Sequence, residues 1–66
     1  MEIFHTGLKK MKTVKGLKRV KHDIPNQAGE METRECVEFI IIGNNHEWKD
    51  WMYYEDFKEY NKDVEI

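Results

Sequence analysis

The sequence predicts a mostly β domain: a small antiparallel meander or partly open barrel, with a short helical turn near the C-terminus. An α+β arrangement is the alternative. Three observations carry this expectation. Met31–Ile42 ends in the unbroken apolar run Phe39-Ile40-Ile41-Ile42, which suits a strand covered on both faces or one that curls. Gly43-Asn44-Asn45 follows at once, and these residue types tolerate the left-handed conformations of a tight turn. Between Glu35 and Tyr60 lie both tryptophans, all three tyrosines and two of the three phenylalanines, so most of the core material sits in one stretch.

Length and charge narrow the possibilities. Sixty-six residues allow one domain and one modest core. A chain of this size buries only about 60% of its unfolded surface, so its stability margin is thin. The single cysteine, Cys36, excludes an internal disulfide and fits a reducing, cytoplasmic compartment. The N-terminal MEIFHTGLKK lacks the order of a signal peptide, and no apolar run approaches a membrane span. A monomer or small oligomer is expected. The net charge of −2 conceals a split. Residues 1–29 hold seven bases against two acids, a balance of +5, whereas residues 30–66 hold four against eleven, a balance of −7. Two explanations compete: a polyanion-binding arm on an acidic body, or strands from the two halves lying side by side. Nine lysines against two arginines fit an AT-rich genome, such as that of a low-GC bacterium or its phage.

The elements follow in order. Glu2-Ile3-Phe4 is a short first strand. Leu8, Met11, Val14, Leu17 and Val20 recur at every third position, which makes neither a helical stripe nor a strand face, so residues 8–15 are strand or helix. Gly16 is expected to break this segment, with Lys15-Gly16 at the centre of a type II turn. A strand over Leu17–Ile24 comes next, with Lys18, Val20, His22 and Ile24 on one face. Pro25–Gly29 is a loop. In Met31–Ile42, Val37, Phe39 and Ile41 face one way; Cys36, Glu38, Ile40 and Ile42 face the other. A strand over Glu47–Tyr54 completes a hairpin. Trp48, Asp50, Met52 and Tyr54 share its core face, and Trp51 and Tyr53 share the opposite one. A helical turn over Glu55–Asn61 places Phe57 and Tyr60 on one side, and Val64-Glu65-Ile66 returns as an edge strand.

This order resembles the small SH3-like or Tudor-like barrels, in which a one-turn helix precedes the final strand. The likeness is architectural, spans residues 17–66 and includes no family motif. It implies a fold and no activity.

Catalytic chemistry is not encoded in any recognisable pattern. His5, His22, His46 and Cys36 lack the spacing of zinc ligands, and the histidines read as solvated. Cys36 lies inside the best strand, where a small core thiol is expected rather than a nucleophile. The pairs Glu55-Asp56 and Glu30/Glu32 belong to a chain with thirteen acids, so their adjacency carries little weight. Phosphate-loop and dinucleotide fingerprints are lacking. The reading is a non-enzyme without cofactor or metal.

Two binding classes are expected. In the first, an acidic aromatic face formed by Trp51, Tyr53, Asp50, Glu55 and Asp56 docks a protein partner, as a small bacterial or phage regulator or inhibitor would do. Tryptophan and tyrosine suit this role because each buries a large area and keeps a polar handle. In the second, Lys9, Lys10, Lys12, Lys15, Lys18, Arg19 and Lys21 grip nucleic-acid phosphates while aromatic rings stack on bases. The plain alternatives are an aromatic core solubilised by its acids and a solvated lysine face.

Overall fold

The computed structural model describes residues 1–66. Four strands, β1 (Glu2–His5), β2 (Lys10–Pro25), β3 (Met31–Ile42) and β4 (Glu47–Tyr53), precede one helix, α1 (Tyr54–Tyr60). Every neighbouring pair is antiparallel and the sheet order is the chain order, β1-β2-β3-β4. This meander curls into a half-barrel, with the short helix following its last strand.

β3 is central because its alternation supplies an apolar residue to the concave side at every second position. Val37, Phe39 and Ile41 are all buried there. They meet Ile3 of β1, Val14 of β2, Met52 of β4 and Phe57 of α1 in one cluster, with Leu17, Tyr54, Val64 and Ile66 at its margin. Ile40 and Ile42, on the convex side, are only partly covered. The apolar run therefore marks a strand that curls, not one sandwiched between two layers.

Gly16 does not break the chain. β2 runs sixteen residues through it. The register passes from Lys15↔Ile40 directly to Lys18↔Glu38, so Gly16 and Leu17 together oppose Phe39. Gly16 takes the left-handed φ of +66° that such a bulge needs and that glycine adopts without a Cβ penalty. The extra residue also resets the parity of the strand. Val14 and Leu17 both reach the core side although they are three apart, an odd spacing that a regular strand cannot accommodate.

Three further expectations are corrected. Val64–Ile66 forms no closing strand. Asn61 takes the backbone N–H and C=O of Phe4 at the edge of β1, and the tail lies against the core margin instead. Trp48 is not core. It has the parity of Met52 but stands at the mouth of the half-barrel, 38% exposed and stacked on His46 at 5.0 Å. On α1, Phe57 is buried, while Tyr60 is 56% exposed and lies against Phe4 at 5.2 Å. The helix also begins one residue earlier than expected, at Tyr54.

Candidate partner-binding face

The convex face of β2, β3 and β4 is built by cross-strand rows. Lys18, Glu38 and Trp51 form one row; Lys15, Ile40 and Lys49 form the next; Val20, Cys36 and Tyr53 form the row on the other side. His22 and Arg34 pair beyond these. Directly opposed side chains in a sheet stand close enough to touch, so each row is a contact set.

Glu38 is the hub. Its side chain is only 14% exposed and meets Lys49 Nζ at 3.4 Å, Lys18 Nζ at 3.7 Å and His22 Nε2 at 3.2 Å. Burial pushes its carboxyl up, but the Lys49 hydrogen bond and the charges of Lys49, Lys18 and His22 outweigh that and hold it below the ordinary value. The two lysine side chains stand 63% and 65% exposed above it. Solvent therefore meets the cations first.

Trp51 rises beside this hub and is 40% exposed. The His22 ring lies 5.4 Å away at 34°, and the Tyr53 ring meets Trp51 edge-on at 5.2 Å and 83°. Arg34 covers the Tyr53 face at 4.3 Å and reaches Glu55 at 3.8 Å. An open concavity of about 430 Å³ adjoins the hub; Lys18, Lys49, Glu38 and Glu47 supply its charged lining, and Gly16, Phe39, Ile40 and Trp48 the rest.

Trp51, Tyr53 and Glu55 are thus brought together. Asp50 is turned to the concave side, where His5 Nε2 lies 2.9 Å from its Oδ2, while its Oδ1 accepts the Trp51 backbone N–H at 2.7 Å. Asp56 sits half-buried in the first turn of α1. Acidic charge near an α1 N-terminus favours that helix locally. The surround of Trp51 is cationic and mixed rather than acidic.

The basic residues of the first half are divided between faces. Lys9 lies in the β1–β2 turn, and Lys10 and Lys12 oppose His5 and Ile3. Lys15 and Lys18 are on the convex face, whereas Arg19 and Lys21 have the parity of Val37 and Glu35 on the other side. Pairing with the acidic half is direct: Lys15 with Glu47 at 3.0 Å, Lys18 with Glu38, and Arg19 Nε with Glu35 at 3.0 Å. Arg19 also stacks on Tyr54 at 3.9 Å. The charge split of the sequence becomes a set of cross-strand ion pairs.

Sequence reasoning missed Glu38, Lys49, Arg34 and His22 as members of the Trp51 face, because only the β2–β3–β4 register joins them. It also took His5 as solvated. His5 is 6% exposed, and its Nδ1 accepts the Leu8 backbone N–H at 3.1 Å. Cys36 is buried as expected; burial raises its thiol pKa, consistent with an unreactive side chain.

Searches for a matching family, a similar curated protein and a similar solved structure each found no match. No helix is long and apolar enough to cross a membrane.

Proposed function

We propose that this chain is a non-enzymatic binding module that docks a protein partner on the convex face of β2, β3 and β4 and thereby modulates that partner. One observation carries the reading: Trp51 is 40% exposed on a face where Lys18, Glu38, Lys49 and Arg34 alternate with Ile40, Val20 and Cys36. A large ring with a polar rim is the arrangement from which interface hot spots are made.

A nucleic-acid platform is less well supported. Single strands need free aromatic faces and an uninterrupted positive groove. Here Arg34 covers Tyr53, His22 leans over Trp51, and an ionised Glu38 sits in the middle of the lysines. The basic residues of β2 are also split between two faces.

The test compares wild-type and Trp51→Ala baits in a native host lysate, with and without nuclease. The expected result is a protein partner that survives nuclease and is retained by wild type. Its affinity should fall by about 2 kcal/mol or more in Trp51→Ala, the scale of a hot spot. Equal retention by both baits, or loss of every partner on nuclease treatment, overturns the proposal.

A further inference from the structure

We infer that the partner segment recognised on this face is acidic, with a carboxylate seated between Lys18 and Lys49 beside Trp51. The inference rests on the reading of the convex face as a protein-docking surface and adds the chemistry of what docks. It departs from the sequence-based expectation of an acidic aromatic face.

Charges on this face are layered by depth. The protein is acidic overall, at −2. On the convex rows, however, Lys15, Lys18, Arg34 and Lys49 stand against Glu2, Glu32, Glu38 and Glu47, so this side of the sheet is neutral by count and depth decides which charges an incoming group meets. Its central acid is the sunken one. The Glu38 side chain is 14% exposed, whereas the Lys18 and Lys49 side chains paired with it are 63% and 65% exposed. At 3.7 Å and 3.4 Å from Glu38, Lys18 and Lys49 are ion-paired with it, and an ammonium group has three donors, so this one contact saturates neither. Both lysines line the concavity of about 430 Å³, together with Gly16, Ile40, Trp48 and the Glu47 that Lys15 holds at 3.0 Å. An incoming carboxylate there completes an alternating acid–base–acid stack, and Trp51 beside it supplies the apolar contact that gives the site affinity. A basic segment would instead meet both ammonium groups at close range, and like-charge contact disfavours a partner.

The experiment selects a displayed library of random 12-residue peptides on the intact protein and measures winners by fluorescence polarisation. Winners should be enriched in Asp and Glu. Their binding should weaken at least about tenfold in Lys18→Gln/Lys49→Gln and in Trp51→Ala, the loss of one good contact. Glu38→Gln, which frees both lysines, should retain or tighten binding, so the proposal stays testable if the double lysine variant melts early. Enrichment of Lys and Arg, or no enrichment, overturns the acidic assignment. Acidic winners indifferent to Trp51→Ala overturn the docking face itself. Tight, Trp51-dependent binding of an oligo-dT strand at physiological salt overturns both in favour of nucleic acid.

Discussion

Nε2 of His5 in the first strand donates to Oδ2 of Asp50 in the last, at 2.9 Å, across a gap that no backbone ladder closes. Because Nδ1 of His5 already accepts the Leu8 N–H, the ring is held in the tautomer that carries its proton on Nε2. The imidazole also packs edge-on against Phe39 at 5.9 Å. Side chains therefore join the two ends of the half-barrel. Asn61 acts similarly one layer away, linking α1 to β1 through Phe4.

Removing the Asp50 acceptor should leave the His5 N–H buried and unpaired. Asp50→Ala is expected to cost about 1–3 kcal/mol, the penalty of an unsatisfied buried group. Asp50→Asn keeps an acceptor oxygen and should cost less than half as much. Thermal melts compare the two. Equal losses would mean that charge, not acceptor geometry, holds the gap.

Asn61 spends one side chain on three bonds. Its Oδ1 accepts the Phe4 N–H at 2.7 Å, and its Nδ2 donates to Phe4 O and Phe57 O, both at 3.1 Å. Asn61→Ala should cost about 2–4 kcal/mol, three bonds at about 1 kcal/mol each. Asn61→Asp is nearly the same size but loses both donors and turns a carboxylate toward two carbonyls, so it should be no milder. Denaturant unfolding of both variants measures this.

Phe39 and Trp48 separate core from mouth. Phe39 is fully buried beneath the bulge, and Phe39→Ala should cost about 3–5 kcal/mol, enough to unfold much of so small a domain. Trp48, exposed by 38%, should lose much less on truncation to Ala. A Trp48→Ala midpoint as low as that of Phe39→Ala would restore Trp48 to the core.

Glu38 predicts an acid limb. Its carboxyl is held below the ordinary value of 4.5 in the folded protein. A lowered folded value means stability that is fully present above the unfolded pKa and is lost as pH falls through the folded one. Glu38→Gln should therefore flatten the melting curve against pH below about 4.5, where wild type declines. An unchanged acid limb would show that the Lys18–His22–Lys49 cluster contributes nothing net.

Much of the fold was legible because strand parity is a local property. The opposite faces of Val37, Phe39 and Ile41 against Glu38, Ile40 and Ile42 follow from alternation alone, as do those of Trp51 and Tyr53 against Met52. The three-residue spacing of Leu8, Met11, Val14, Leu17 and Val20 resisted interpretation because one inserted residue at Gly16 changes parity midway. A glycine is equally at home in a turn, so the choice belongs to β3, which keeps pairing on both sides of it.

The sequence by itself determined a mostly β chain, the hairpin around Gly43-Asn44-Asn45, the apolar face of β3 and the two-sided β4, since each rests on neighbours along the chain. Only the tertiary structure decided what surrounds Trp51. Glu38, Lys18, Lys49 and His22 are distant in sequence, and the β2–β3–β4 register brings them into one patch. It also decided that Asp50 turns inward to His5 and that Val64 and Ile66 pack against the core margin without forming a strand. Composition counts the charges of a face; cross-strand register decides which of them are sunk and which meet the solvent.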